Sequence, residues 1–298
     1  MIDDRALAQA RSVETTISYL APGSFINRRF VAPGREVNTG SYEPHRVLVR
    51  DARPFAACFT LDEHGFQLFE HHSAIANFLD REQVDALYPE EVIALIRQLT
   101  GASVVVPQGW MIRTSGELAQ QQQKVIGYQH RGGVQPPAGE AHIDFTPEYA
   151  QTMADAMYRK HFPDGKPWHR FLATSLWRCF SPPPQDWPLA LCDARSVGAD
   201  EGVPNRLVVV DEIPDGDGML AEIPGEAELP AAAIFRYDPA HRWWYFSGMH
   251  RDEVVLLKFH DSDPARARRT PHTAFHDPSF ADATTRQSIE FRSVAYFS

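Results

Sequence analysis

The chain has 298 residues and a formal net charge of −10 at neutral pH, from 29 Lys and Arg against 39 Asp and Glu. With 43% hydrophobic and 23% charged residues it reads as a globular protein long enough for a sizeable core, not a disordered chain. The acidic balance argues against nucleic-acid binding as the main function, and no apolar run reaches the roughly 18–20 residues of a membrane span.

The first residues, MIDDRALAQARSVE, are acidic at the outset and lack the apolar stretch of a secretory signal. A short strand is expected at residues 46–49. Asp80 then caps a helix, with Gln83 completing a capping box, and Gly101 stops it. Val84, Leu87, Val92, Leu95, Ile96 and Leu99 form its apolar stripe. A strand follows at 103–106, and residues 120–123 form a short polar patch. Thr146 caps a second helix with Pro147 at its first position, and Pro163-Asp164-Gly165 ends it. Further strands are expected at 207–211, 232–237, 242–246, 254–259 and 289–297, separated by turn residues. Strands do not alternate with helices there, so a β-rich jelly roll with added α-helices fits better than a parallel α/β sheet. Nothing marks a boundary, so residues 1–298 are read as one domain. The three cysteines, Cys58, Cys179 and Cys192, have no CxxC spacing, which fits a reducing, cytoplasmic setting.

The informative segment is Ala141-His142-Ile143-Asp144-Phe145-Thr146. On a strand, positions i and i+2 share a face, so His142 and Asp144 aim an imidazole and a carboxylate at one point while Ile143 enters a core. That is two-thirds of a 2-His-1-carboxylate facial triad, which leaves part of a metal's coordination open and suits non-haem Fe(II). The third donor comes from His272 or His276, in RTPHTAFH near the C-terminus. Downstream, Arg286 and Ser288 share one strand face and together make a carboxylate receptor, a guanidinium fork plus a hydroxyl. Arg292 falls on the same face and competes as anchor; Arg286 ranks first because Ser288 accompanies it. A second His-x-Asp, His250-Arg251-Asp252, lies in a charged turn and reads as surface.

These features together resemble the Fe(II)/2-oxoglutarate-dependent oxygenases. Longer blocks sharpen the likeness: Leu176-Trp177-Arg178, WPLALCDARS from Trp187, the aromatic run Trp243-Trp244-Tyr245-Phe246, EVVLLKFHDS from Glu253, PHTAF from Pro271 and RQSIEFR from Arg286. From about residue 104 to the C-terminus the chain is similar to the AsaB-type hydroxylase/desaturase family, which includes the small subunit of the bacterial cephamycin 7α-methoxylase system. The resemblance implies a double-stranded β-helix (jelly roll, cupin-like), with residues 1–100 as an N-terminal extension packed on it. It implies Fe(II) held by His142, Asp144 and His272, and 2-oxoglutarate anchored by Arg286 with Ser288. It also implies O2 and a small specialised metabolite or amino-acid-derived molecule as substrates, hydroxylated or desaturated. Composition excludes nucleic acid and membrane as partners, and a homodimer is one open option for the assembly. Two rivals stand beside it: a cupin-type iron oxidase that does not use 2-oxoglutarate, and a non-catalytic β-sandwich binding protein.

Other conspicuous residues have plain structural readings. Trp177, Trp187, Trp243 and Trp244 read first as core aromatics, with a substrate wall second. Arg178 and Arg195 suit ion pairs as well as a substrate carboxylate. Lys258 reads as an edge-strand lysine with its head in water. His241 is expected to be a hydrogen-bonded structural histidine, and Arg113 a residue at the cavity.

Overall fold

A computed structural model describes residues 10–116, 134–165 and 167–298; the polar patch at 120–123 lies outside them. In chain order the strands are β1 (Ser12–Leu20), β2 (Arg28–Ala32), β3 (Arg35–Asn38), β4 (Tyr42–Asp51), β5 (Phe66–Glu70), β6 (Val104–Thr114), β7 (Val134–Gln135), β8 (His142–Ile143), β9 (Arg170–Cys179), β10 (Leu189–Cys192), β11 (Val203–Val209), β12 (Ala231–Ile234), β13 (Trp243–Tyr245), β14 (Glu253–Asp261), β15 (His272–Ala274) and β16 (Gln287–Phe297). Two long helices join them, α1 (Arg81–Thr100) and α2 (Pro147–His161).

The strands form two facing sheets, a jelly roll. The larger runs β1-β4-β13-β10-β15-β8-β12-β11-β2-β3 and the smaller β5-β14-β9-β16-β6-β7. Most neighbours are antiparallel. The N-terminal strands join the large sheet through parallel pairs, β4 on β13 and β2 on β11, which the long intervening chain permits.

Both helices start and stop by local chemistry. Asp80 accepts the Gln83 amide at 3.2 Å, and Gly101 closes α1 in the left-handed region at φ 73°. The return half of the capping box is not made. Gln83 Oε1 instead accepts the amides of Ala76 and Asn77, at 2.6 and 3.0 Å, and ties down the preceding loop. Thr146 caps α2 by accepting the Tyr149 amide at 3.2 Å, with Pro147 at the first position. In α1 the stripe departs from expectation at one place: Leu87 is exposed, and Tyr88 is the buried residue, in line with Val84 and Val92 at four-residue steps.

The small sheet has apolar residues on both faces. Val255 and Leu257 of β14, Ala173 and Trp177 of β9 and Val294 and Tyr296 of β16 face the large sheet. Val254, Leu256, Leu172, Leu176, Ile289, Phe291 and Ala295 face outward and pack with Val84, Tyr88, Val92 and Ile96 of α1. Each such apolar side chain contributes about 1.5–3 kcal/mol of burial before the entropy of ordering it. On β16 the split is by parity: odd positions hold α1, and even positions look into the interior.

Lys258 corrects its sequence reading. β14 lies between β5 and β9, so it is no edge, and Lys258 is fully buried. Its Nζ donates to Asp261 at 2.6 Å and to Asp62 at 3.2 Å, while Arg170 holds Asp261 through two bonds of 2.8 and 2.6 Å. Asp261→Asn leaves Lys258 and Arg170 with only the half-exposed Asp62 carboxylate in a low-dielectric site. We expect it to lower stability by about 3–5 kcal/mol in urea unfolding.

His260, beside that cluster, is also buried and stacks on Phe171. Burial first, then the nearby charge of Arg268, push its pKa down to about 4, against the pull of Asp261 and Glu148. The unfolded chain therefore takes up this proton before the folded one does. The contribution is complete above pH about 6.5 and is lost as pH falls toward 4, by up to about 3 kcal/mol. His260→Gln should flatten that part of the stability–pH curve, as measured by denaturant midpoints at pH 7, 5.5 and 4.5.

Candidate active site

The site is built across the middle of the large sheet. β8 and β15 are antiparallel neighbours, and His142 and His272 are direct cross-strand partners, with ring centroids 4.4 Å apart. β8 is only two residues long, so Asp144 lies in the bend just past its end. The alternation still holds: Ile143 is buried in the core, and Asp144 Oδ1 comes back to 3.6 Å from His142 Nε2. Donor atoms of His142, Asp144 and His272 all lie within 4.8 Å of one another. His276 is two positions out from β15; it is exposed and rests against Trp187. His250 is exposed beside Glu253.

The backbone sets the imidazole tautomers. His142 Nδ1 faces the Glu140 carbonyl at 2.9 Å and His272 Nδ1 the Thr270 carbonyl at 3.2 Å. A carbonyl only accepts, so each Nδ1 carries the proton and each Nε2 keeps a lone pair for a metal. Burial, reinforced by the charge of His142, pushes the His272 pKa down to about 4, so this ring is neutral. Burial opposes charge on His142 too, but the hydrogen bond to Asp144 and the charge of Glu140 outweigh it and raise its pKa. Burial likewise opposes ionisation of Asp144, yet Arg292, then His142, hold its carboxyl far below the usual range. The site is thus a buried anion between two imidazoles, the environment a divalent cation seeks.

One cavity opens on this cluster, lined by His142, His272, Arg113, Ser175, Trp177, Leu189, Leu257, Arg286 and Glu290. Arg286 sits just before β16 and is almost fully buried; Nη1 donates to the Trp187 carbonyl at 2.9 Å. Its Nε and the Ser288 Oγ are buried without a hydrogen-bond partner. Burial, reinforced by the charge of Arg113, pushes the Arg286 pKa down to about 10, opposed by Cys179. Unspent buried donors on a guanidinium and a hydroxyl are costly unless an anion satisfies them.

Several residues fall elsewhere. Arg178 projects from the outer face of β9 and bonds the His71 and Arg251 carbonyls and Tyr88, not an acid or the cavity. Arg195 pairs with Asp193 at 2.7 Å. His241 is held by Glu201 at 2.7 Å, a structural histidine. Trp243 and Trp244 are core, whereas Trp177 is a cavity wall. Arg113 does line the cavity. Glu290 is the residue that sequence reasoning missed. Arg292, weighed as an anchor, is engaged by Asp144 at 2.9 Å and Glu290 at 2.5 Å.

Comparison with known proteins follows this geometry. A family profile described as "Oxidoreductase/YMDC permease-like domain" matches residues 17–296. Among the described residues no helix is long and apolar enough to cross a membrane. The hydroxylase/desaturase efuI of Hormonema carpetanum is 32% identical, covering 98% of this chain and 97% of the relative. This chain is a member of the Fe(II)/2-oxoglutarate-dependent hydroxylase/desaturase family. The Fe(II)/2-oxoglutarate-dependent dioxygenase nvfI of Aspergillus novofumigatus is 29% identical, over 89% of this chain and 87% of that one. The solved structure of the iron and alpha-ketoglutarate-dependent endoperoxidase NvfI superposes with a TM-score of 0.74 at 25% identity, covering 96% of this chain and 98% of that one. The dioxygenase uses Fe(II) and 2-oxoglutarate, and its donors fit both. Two imidazole nitrogens and one carboxylate suit Fe(II), and the orphaned Arg286 and Ser288 donors suit a carboxylate in the same cavity.

Proposed function

We propose that His142, Asp144 and His272 hold Fe(II), that Arg286 with Ser288 receives the distal carboxylate of 2-oxoglutarate, and that the enzyme hydroxylates or desaturates a small specialised metabolite. The observation that carries this reading is that a single cavity has both imidazole rings and the buried guanidinium in its walls. When bound, the metal and keto acid supply the oxidising chemistry: O2 is reduced, the keto acid is cleaved to succinate and CO2, and a substrate C–H bond is oxidised.

The chain's own residues do the positioning. Hydrogen bonds to the Glu140 and Thr270 carbonyls fix both imidazoles, so the lone pairs need no reorientation. Arg286 gives the cosubstrate a direction, since only one end of it matches a fork with unspent donors. Trp177, Leu189 and Leu257 keep water from the cavity wall, which strengthens every charge interaction inside. Three free cysteines, two of them buried, support the reading of a reducing, cytoplasmic setting.

The test is an anaerobic titration of the Fe(II)-loaded chain with 2-oxoglutarate, read as the weak visible charge-transfer band. We expect one equivalent to saturate it. Fully loaded, folded protein that gives no band refutes the reading, and metal binding without cosubstrate binding favours an iron oxidase of another kind.

A further inference from the structure

The inward side of β16 carries more charge than a cosubstrate anchor needs. Past Arg286 and Ser288 come Glu290 and Arg292 on the same side. Arg292 lies between two acids: Nε makes an ion-pair contact of 2.9 Å with Asp144 Oδ2, short of hydrogen-bond alignment, and Nη2 donates to Glu290 Oε1 at 2.5 Å. Glu290 is held from the other direction by Arg113, whose Nε donates to Oε2 at 3.1 Å. Arg113 Nη1 in turn donates to the Pro136 carbonyl at 3.0 Å. The guanidinium of Arg292 is thus braced by a line of bonded groups that ends on backbone.

The two oxygens of Asp144 consequently have different surroundings. Oδ1 is the one 3.6 Å from His142 Nε2, on the imidazole side, and Oδ2 is the one turned to Arg292. We propose that Arg292 is a positioning residue for the metal carboxylate: it occupies Oδ2 and so leaves Asp144 one oxygen with which to hold the cation. The inference rests on the metal-ligand reading given above.

The physical reason is a count of coordination sites. An unrestrained carboxylate binds a cation through one oxygen or both. A metal held by two imidazoles and one carboxylate oxygen would keep room for a chelating keto acid and for O2. A second Asp144 oxygen would compete for that room. Lysine in place of arginine would be a poorer device, because a single ammonium replaces a guanidinium whose Nε and Nη2 meet Asp144 and Glu290 separately. The same engagement explains why Arg292 does not compete with Arg286 for the cosubstrate: its charge is already shared between two carboxylates.

The test uses the full chain without metal as wild type, Arg292→Gln and Arg292→Lys. Each is titrated anaerobically with Co(II), and separately with Fe(II) followed by 2-oxoglutarate. Charge alone predicts that deleting a cation beside a dication site tightens metal binding. Positioning predicts the opposite sign. We expect Arg292→Gln to bind Co(II) about 10–100-fold more weakly and to shift or weaken the Fe(II)–2-oxoglutarate band, with Arg292→Lys between it and wild type. Arg292→Gln that is folded by circular dichroism and binds Co(II) as tightly as wild type, or more tightly, with an unchanged band, overturns the proposal. If the Gln variant does not fold, Arg292→Lys decides: weakening by threefold or more supports positioning, and wild-type affinity overturns it. A wild-type chain that takes up neither metal overturns the metal-site reading and this inference with it.

Discussion

His272→Ala is expected to lower 2-oxoglutarate turnover by at least about 10³-fold, a barrier increase of about 4 kcal/mol, while His276→Ala leaves turnover within about twofold. The contrast follows from register. His272 is opposite His142 across the β8–β15 pair and offers a donor atom within 4.8 Å of Asp144, whereas His276 is exposed and rests tilted against Trp187. Without His272 the cation keeps one imidazole and one carboxylate, too few donors to hold it against water. The protein should still fold, because the strand pairing is backbone-mediated and the change removes a ring that stacks on Phe259 without adding bulk. Metal content after desalting and succinate formation are the two readouts. Equal loss in both variants, or loss only in His276→Ala, would discard the assignment of the third ligand.

Arg286→Ala is expected to raise the KM for 2-oxoglutarate by about 100-fold, near 3 kcal/mol, with kcat at saturating cosubstrate reduced by less than about tenfold. The reasoning is one of unspent donors. Arg286 commits Nη1 to the Trp187 carbonyl and keeps Nε for a ligand, in a cavity it shares with His142 and His272. An anchor acts on the ground state and the transition state alike, so its removal shows in KM more than in kcat. Arg286→Lys should recover part of the loss, since a point charge replaces the fork. Ser288→Ala should cost only about 3–10-fold, the value of one hydroxyl donor. An Arg286→Ala enzyme with an unaltered KM would favour an iron oxidase that needs no keto acid.

The parts of this protein that were legible in the sequence are those set by neighbours along the chain. Asp80, Gly101 and Thr146-Pro147 mark helix ends because capping involves residues three or four apart. His142 and Asp144 were readable because two-residue alternation is a local property. The choice between His272 and His276 was not, because it depends on which of them faces β8, a pairing between distant segments. β9 and β10 escaped a strand reading for a related reason. Nearly every residue in them is buried, so no apolar–polar alternation is left to see. Lys258 was misplaced because one of its partners, Asp62, lies almost two hundred residues away in sequence. Glu290 was passed over inside an apolar run; its meaning appears only when even positions of β16 are known to face a cavity. Leu87 was misassigned by a small angular error on a helix whose buried arc centres on Tyr88.

The parity of β16 has a practical corollary for changing what this enzyme acts on. Its two sides answer to different demands, one to adhesion and the other to reactivity, along a single ribbon of backbone. Randomising Ile289, Phe291 and Ala295 would loosen the scaffold and leave the chamber's chemistry untouched. Diversifying Ser175, beside that strand on β9, and Thr273, across the chamber on β15, would redraw its contents while the helix stays docked. A directed-evolution campaign therefore has separate dials for robustness and selectivity.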